Sequence, residues 1–332
     1  MTTGPSATRV SAIVPTVGAS PWLLECLEAL RQDGGASLEI VLVDQGARPL
    51  HLPEGLGVRT LRLERNVGFA AGVNRGLDAA RGELLATIND DLKIERGWIE
   101  ATVAALGAEP RAAAVQGWVL QWRDPQRFDG CGLAFNRRWQ AVQLGHGQPV
   151  ADAPAVSAPM PSPREVFGVS ATAALYRRAA LDAVRLADGS VFDPRLGSYY
   201  EDVDLAVRLR AAGWSTWSTG AARALHAGSA TAGIERLRWV YGNRYPVLAR
   251  LLGRRMAARL PRIVAGDLLD LARAGIHGRH AEAGAILLGL ARGARLLPRA
   301  LHGGAPRINP DELERLAAES FSPALTAKEG TS

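Results

Sequence analysis

Short apolar segments alternate with amphipathic segments through the first 110 residues or so of the chain. The apolar segments span residues 10–16, 38–44, 58–63 and 83–91, and apolar side chains recur at helical spacing in residues 21–31, 69–81 and 95–106. Strands that alternate with helices predict an α/β fold with a mixed, mainly parallel sheet flanked by helices. Ligands of such sheets bind beyond the carboxyl ends of the strands, where Asp44 and Asp91 both fall.

The alternation loosens after residue 106. We expect strands at 115–122, 166–176 and 214–217, helices at 178–185 and 200–212, and a loop rich in Pro, Ala and Ser at 148–163. From 247 to about 301 the chain is rich in Leu, Ala and Arg and helical in pattern. The sequence therefore predicts a main α/β domain over 8–245, a helical extension over 246–318 and a disordered tail over 319–332.

Charge and composition restrict the class of protein only in part. The 332 residues carry a formal net charge of +6, which suits nucleic acid, anionic lipid or a phosphorylated small molecule without choosing among them. No apolar run approaches the roughly 18 residues of a spanning helix, and no signal-peptide pattern is present, so we expect a cytoplasmic protein. Cys26 and Cys131 form no zinc or disulfide pattern.

Three polar residues, Asn89, Asp90 and Asp91, end the apolar segment 83–91. Their side chains emerge at the sheet edge, where one or two carboxylates together with phosphate oxygens hold Mg²⁺ or Mn²⁺. Asp91 is the expected direct ligand. The alternative is that these residues only cap the following helix, and the three residues by themselves leave both interpretations open.

Two further features suit a nucleotide. Asp44 either hydrogen-bonds a base or ribose or simply closes a turn after its strand. The segment 65–75 opens a helix with small residues, so its backbone and the side chains of Asn66 and Asn74 can approach a ligand closely near Gly68.

Acidic residues and a histidine later in the chain suit acid–base or metal chemistry. Glu201, Asp202 and Asp204 begin a predicted helix, where acids also favour the helix dipole. Asp202 is our candidate for a base that deprotonates a hydroxyl. His226 follows a short apolar segment; an isolated histidine is more often structural, but its imidazole could complete a metal site with Asp91.

The order of these segments resembles the family 2 glycosyltransferases, inverting enzymes of the Rossmann-like GT-A fold, and especially their bacterial rhamnosyltransferase-like members. The matching pieces are 13–16, 40–44, 65–74, 88–91, 168–174, 201–205 and His226, in collinear order. They cover roughly the first 230 to 245 residues.

The resemblance implies roles for individual residues. It implies a nucleotide-binding half around Pro15, Thr16 and Asp44, a metal motif of the DxD type at 89–91, and an acidic base in the pair Glu201 and Asp202. It also implies that His226 ligates the metal and that Arg244 lies near the donor diphosphate. Two positions depart from the family pattern: Val17-Gly18 replaces a polar residue, and Asn89 replaces the first acid.

The implied partners are a nucleotide-sugar donor, of the dTDP-rhamnose or UDP-hexose type, and a glycan, lipid-linked glycan or glycosylated metabolite as acceptor. A sugar nucleotidyltransferase and a non-enzymatic binder of anionic surfaces are the alternatives, although 16–20 has no basic residue for a phosphate loop. We expect no nucleic-acid partner. The helices of 246–302 either contact the inner face of the cell membrane or pack on the protein or in a homo-oligomer.

Overall fold

The computed structural model describes residues 10–34, 37–136, 138–152, 163–228 and 233–302, with side chains up to residue 298. Most of the expected loop 148–163, the end of the predicted helical extension after residue 302 and the predicted tail 319–332 lie outside the described residues. The described part forms twelve strands and eight helices.

The strands are β1 (Val10–Thr16), β2 (Glu39–Asp44), β3 (Val58–Arg62), β4 (Leu84–Ile88), β5 (Leu92–Ile94), β6 (Ala112–Gln121), β7 (Asp124–Gly130), β8 (Leu133–Phe135), β9 (Ala141–Gln143), β10 (Arg164–Val166), β11 (Ala173–Arg177) and β12 (Ser215–His226). The helices are α1 (Leu23–Gly34), α2 (Phe69–Ala79), α3 (Trp98–Ala108), α4 (Arg178–Asp182), α5 (Glu201–Ala211), α6 (Glu235–Leu252), α7 (Met256–Ile276) and α8 (His280–His302).

One mixed sheet organises the chain, in the order β10-β12-β6-β11-β4-β1-β2-β3. The half formed by β3, β2, β1 and β4 is parallel, whereas β11 runs antiparallel between β4 and β6. Chain order reverses between β1, which pairs with β2, and β4 on its other side. Such a reversal opens a crevice at the carboxyl ends of the strands, so this is where a ligand site is expected.

Helices cover both faces of the sheet. One apolar core joins the sheet to α1 and α3, with Trp98 completely buried, and a second joins its other face to α2, α4 and α5. Small residues let α2 lie close to the sheet: a Cβ on Gly76 would stand 2.3 Å from the Cγ2 of Ile13. The predicted three-layer α/β arrangement is therefore confirmed.

Two predicted strands differ in extent from the observed ones. The segment 166–176 is two strands, because β10 pairs with β12 at the edge while β11 lies between β4 and β6, so residues 167–172 must cross beneath α5. The expected short strand 214–217 is the first part of β12, which continues to His226 along β6 through a bulge after Thr219. The polar and small residues of β12 show no apolar alternation, so the sequence does not predict its full length. The strand extends to His226 because its backbone pairs with β6.

The C-terminal helices pack on the sheet domain. Helix α6 crosses the predicted boundary at residue 245, and its buried residues join those of α5 in a third apolar cluster that includes Val203, Val207, Leu248 and Met256. Helix α8 lies along α6. Among the described helices, none combines the length and apolar character that a membrane span requires.

Candidate active site

The carboxyl ends of β1 and β4 meet through a direct hydrogen bond. Thr16 ends β1 and donates from its hydroxyl to Oδ2 of Asp90 over 2.5 Å, while Gly18 donates its backbone N–H to the same Thr16 oxygen. Pro15 lies buried in β1 beyond the last residue that pairs with β4, so its missing N–H interrupts no ladder there. Burial raises the pKa of Asp90, and the Asp91 carboxylate adds to this.

Asp91 and His226 face each other across two paired strands. Asp91 precedes β5, whose Leu92 pairs with His226 at the end of β12, and the backbone of Ala227 donates to the carbonyl of Asp91. The Nε2 of His226 lies 3.2 Å from Oδ1 of Asp91. This buried nitrogen has no well-aligned hydrogen-bond partner among the described residues.

Asp129 orients the imidazole from the other side. Its Oδ2 lies 2.8 Å from Nδ1 of His226. Burial by itself would lower the pKa of His226, but the carboxylates of Asp129 and Asp91 raise it to about 9. The His226 hydrogen bond holds the pKa of Asp129 below its usual value against the opposing effect of burial. The surroundings of this imidazole therefore favour positive charge.

Sequence reasoning missed Asp129. It lies in β7, whose residues Asp124 to Gly130 have no apolar alternation, and no pattern connects position 129 with position 226. Only the pairing of β7 and β12 with β6 brings the two side chains together.

These residues fit a divalent metal. A carboxylate oxygen and an imidazole nitrogen converge, and the second ring nitrogen is fixed by a carboxylate, which is the usual support of a metal-bound histidine. Within the described residues no cluster of three or more His, Cys, Asp or Glu side chains could hold a metal. A metal at Asp91 and His226 would thus take its other ligands from substrate oxygens and water.

Asn89, two residues before Asp91, carries a side-chain oxygen without a hydrogen-bond partner among the described residues. Its backbone N–H donates to the carbonyl of Thr172, and this oxygen, Oδ1, is buried. The replacement of the first acid of the motif by Asn therefore leaves a neutral oxygen at that position.

The pair Glu201 and Asp202 begins α5 and is tied to the same strand ends. Asp202 accepts from the backbone N–H of Val203 at 2.8 Å and of Ala171 at 3.4 Å. Residues 170–172 lead into β11, and the carbonyl of Thr172 accepts from Asn89. The loop 170–172 therefore joins the acidic pair to the polar residues after β4.

The two acids differ in environment. Glu201 is buried, and its Oε2 finds no hydrogen-bond partner within the residues that the structure describes; burial and the neighbouring Asp202 raise its pKa well above the usual value. Burial also raises the pKa of Asp202, but two backbone N–H groups stabilise its ionised form and it is half-buried. Asp202 is therefore the acid of the pair that is better placed to carry the negative charge.

Asp204 is fully buried and serves the fold. It forms ion pairs with Arg208 on its own helix and with Arg250 on α6, and Arg250 also contacts Asp193. Of the three acids at the start of α5, Asp204 is therefore the one whose carboxylate is engaged in ion pairs.

Asp44 closes a loop. Its carboxylate accepts from the backbone N–H groups of Gly46 and Leu50 and pairs with Arg62 at 2.8 Å. The carboxylate is almost fully buried, so these contacts agree with the turn-closing alternative.

The segment 65–75 contains an exposed loop at Asn66 to Gly68 and, at Asn74, a side-chain amide that is hydrogen-bonded to the backbone. Asn66 accepts from the N–H of Gly68, which has φ +88° and begins α2 close to Gly197. Asn74 accepts from the N–H groups of 191 and 192 and donates to the carbonyl of Phe192. Asn66 and Gly68 can thus approach a ligand, whereas the amide of Asn74 is already engaged.

Arg244 is engaged between two helices. Its guanidinium is buried, pairs with Asp267 at 2.6 Å and lies against the rings of Tyr241 and Tyr245. These contacts join α6 to α7, and the expected contact of Arg244 with a diphosphate stays a prediction.

A family model decides the class of this protein. The model for glycosyl transferase family 2 matches residues 11–185, which is more than half of the 332 residues. The chain belongs to glycosyl transferase family 2. The expectation drawn from the order of the sequence motifs is confirmed.

Curated relatives agree with this membership. The N-acetylglucosaminyl-diphospho-decaprenol L-rhamnosyltransferase of Mycobacterium tuberculosis is 28% identical over 241 residues, which are 64% of this chain and 74% of that protein. The dodecaprenyl-phosphate galacturonate synthase of Rhizobium johnstonii is 37% identical over 114 residues, 32% of each protein. An uncharacterized protein of Sinorhizobium fredii, y4gI, is 28% identical over 68% of this chain and 25% of its own length. The chain thus spans about a quarter of y4gI and a third of the galacturonate synthase, but about three quarters of the rhamnosyltransferase.

A solved structure shows the same fold. The crystal structure of GalNAc-T7 with UDP, GalNAc and Mn²⁺ matches 77% of this chain and 51% of that chain, with a TM-score of 0.58 and 15% identity. The likeness, together with the sheet order, confirms the predicted GT-A fold class.

Proposed function

We propose that this family 2 member is an inverting glycosyltransferase that moves a sugar from a nucleoside diphosphate to an acceptor hydroxyl. One arrangement carries the proposal: the Nε2 of His226 faces the Asp91 carboxylate at 3.2 Å at the end of β12, and the loop 170–172 links this pair to Asp202. A cation-favouring pair next to a carboxylate base suits a reaction with an anionic leaving group and a neutral nucleophile.

The proposed reaction is a single displacement. Asp202 takes the proton of the acceptor hydroxyl, and the acceptor oxygen forms a bond to the anomeric carbon. The bond between that carbon and the nucleoside diphosphate breaks on the opposite face, so the configuration inverts and the bonding electrons leave with the diphosphate. Glu201, buried and with a strongly raised pKa, retains its proton more readily and leaves Asp202 to act as the base.

Asp91 and His226 are the proposed ligands of Mn²⁺ or Mg²⁺, with Asn89 as a neutral neighbour. When bound, the metal supplies positive charge that stabilises the departing diphosphate. Asp129 holds the imidazole so that Nε2 points to Asp91. Arg244 is left out of the proposed donor site because it is buried against Asp267.

The donor would lie at the carboxyl ends of β1 and β4. The Thr16–Asp90 hydrogen bond marks these strand ends, and the exposed loop with Asn66 and Gly68 is proposed as a further contact of the donor. The names of the relatives favour rhamnose or a uronic acid as the transferred sugar and a polyprenyl-linked acceptor. We propose a donor of the dTDP-rhamnose or UDP-hexose type. Family membership favours sugar transfer over nucleotide transfer.

A thermal-shift screen tests the donor site. We expect one nucleotide sugar of the dTDP or UDP type to raise the Tm in the presence of Mn²⁺ or Mg²⁺, because a ligand at 100 times its Kd stabilises the folded state by about 2.7 kcal/mol. Asp91→Ala should lose most of this shift, whereas Asp78→Ala, which removes an exposed carboxylate on α2, should keep it. A wild type that no nucleotide stabilises would rule out the proposed donor site.

We also propose that the α7–α8 hairpin contacts an anionic membrane surface. Leu268, Leu269, Ile276, Leu287 and Leu288 expose 49% to 82% of their surface, and they are five of the nine large apolar residues that are exposed among the described ones. Among the lysines, arginines and acidic residues of 253–298, only arginines are exposed. Asp267 is buried, and Asp270 and Glu282 are half-buried in ion pairs. Apolar side chains flanked by arginines suit the headgroup region of an anionic bilayer at the inner face of the membrane.

Vesicle co-sedimentation tests this contact. We expect the full chain to bind phosphatidylcholine vesicles that contain phosphatidylglycerol, to bind pure phosphatidylcholine poorly, and to be released by salt. The double variant Leu268→Ser with Leu287→Ser should bind about tenfold more weakly through the loss of apolar burial, whereas Leu24→Ser, an exposed leucine on α1, should bind normally. Binding that appears only after removal of the residues beyond His302 would show that the chain's own end covers this face and would refute the proposal.

A further inference from the structure

The segment 195–200, which delivers the chain into α5, has an unusual backbone. Tyr199 and Tyr200 adopt φ angles of 65° and 71°, and Gly197 adopts 71°. Side chains disfavour the left-handed region, so two successive tyrosines there must be held by their surroundings. Because Glu201 and Asp202 follow directly, the direction of this turn decides where the acidic pair points.

Asn243 holds the turn from α6. This side chain is fully buried, and its Nδ2 lies 2.7 Å from the carbonyl oxygen of Leu196, 3.0 Å from that of Ser198 and 2.7 Å from that of Tyr199. An amide NH₂ has two hydrogens, so at least one is shared among the three acceptors. A single side chain thus fixes three carbonyl groups of the turn.

Arg292 on α8 supports Asn243. Its Nε donates to Oδ1 of Asn243 over 3.3 Å, which leaves the amide nitrogen directed at the turn, and its Nη2 donates to the carbonyl of Arg195 over 2.6 Å. The guanidinium also stacks on Trp239, 4.5 Å from the ring centroid.

Contacts on the other sides leave the turn little freedom. A Cβ on Gly197 would stand 2.8 Å from the Trp239 ring, and the carbonyl of Gly197 accepts from Ala70 at the start of α2. The hydroxyl of Tyr200 accepts from the backbone N–H of Ala141. The turn therefore touches the Asn66–Gly68 loop on one side and the C-terminal helices on the other.

We infer that Asn243 and Arg292 are positioning residues that use the C-terminal helices to hold the Glu201–Asp202 pair in its reactive orientation. They act through the backbone of residues 195–200. The identity of the reaction rests on the proposed function. The claim that Asn243 and Arg292 fix the conformation of residues 195–200 rests on these contacts alone.

Hydrogen exchange and kinetics together test the inference, with the variants Asn243→Ala and Arg292→Lys. Lysine keeps the charge but lacks the Nε donor and the planar group that stacks on Trp239. We expect both variants to speed amide exchange in the peptide 195–203 relative to the wild type, whereas Arg295→Lys, at an exposed arginine of α8, should not. This measurement does not depend on any substrate, so it stands if no donor is found and the proposed function fails.

With the donor and acceptor that the wild type uses, both variants should lower kcat by about ten- to a hundredfold, since small misplacements of reacting groups have effects of this size. The KM for the donor should change less than kcat, because Asn243 and Arg292 contact the backbone of 195–199 and not the proposed donor residues Thr16, Asp90 and Asp91. If Asn243→Ala does not fold, Arg292→Lys decides alone. Wild-type exchange in 195–203, or a loss confined to donor KM with kcat unchanged, would overturn the inference.

Discussion

Replacement of Asp202 by asparagine is expected to abolish sugar transfer and to leave donor binding unchanged. Asparagine fits the same space, and its single oxygen can keep the shorter hydrogen bond from the N–H of Val203 while the bond from Ala171 is lost, but it cannot take a proton. General-base catalysis contributes about 10²- to 10⁴-fold, so kcat should fall by that factor. Donor titration calorimetry and initial rates on the same preparation separate the two effects.

Glu201→Gln is the matched control for this experiment. A buried carboxyl with a strongly raised pKa resembles glutamine in its protonated form, so this variant should lose much less activity than Asp202→Asn. Equal losses in the two variants would contradict the division of roles, and undiminished turnover by Asp202→Asn would remove it as the base.

The pH dependence of kcat should also identify Asp202 as the base. The base works when ionised, so the rate must fall as the pH drops through the pKa of Asp202. Burial raises this pKa, so the acid limb of kcat should lie above the value of about 3.9 that is typical of a free aspartate. Since Glu201 is coupled to Asp202, the limb reports on the pair.

Removal of His226 is expected to have the second large effect, the loss of metal-dependent donor binding. His226→Ala takes away the nitrogen that faces Asp91 and leaves Asp91 without its partner. Calorimetry of UDP and dTDP, each with and without Mn²⁺, should show that Mn²⁺ strengthens binding of the preferred nucleotide to the wild type by at least about tenfold and leaves binding to the variant unchanged.

Asp129 and His146 provide a graded control. Asp129→Asn keeps an oxygen near Nδ1 of His226 but removes the charge, and loss of such a supporting carboxylate typically lowers metal affinity by about 10- to 100-fold. His146→Gln, at an exposed histidine that contacts the carbonyl of Asp129, should stay within about twofold of the wild type. Equal Mn²⁺ dependence in the wild type and His226→Ala would refute the assignment of His226.

The local pattern of the sequence determined the parallel half of the fold. Short apolar segments give the buried strands β1, β2 and β4, and the amphipathic segments between them give α1 and α2 with one buried face, because both kinds of pattern can be read along the chain. The same pattern put Thr16 and the residues 89–91 at strand ends, and their meeting at the crevice follows from parallel pairing.

Family membership could also be read from the sequence, since it depends on the order of motifs and not on their contacts. The candidate acids Glu201 and Asp202 and the ligand candidates Asp91 and His226 could be named in advance. Their roles stay proposals.

Only the tertiary structure decided which candidates are free to act. Asp44, Asn74 and Asp204 carry the residue types of a binding site, yet the fold engages each of them in loop closure or a buried ion pair. Arg244 is buried with Asp267 for the same reason: a charged group inside the protein requires a partner, and that partner comes from a distant helix.

Asp129 and Asn243 are the converse case, because only the structure identifies them as candidates. Each contacts a side chain or backbone about 45 to 100 positions away. Hydrophobic periodicity is local and can be read along the chain, whereas the partner of a buried polar group is chosen by the packing of the whole molecule.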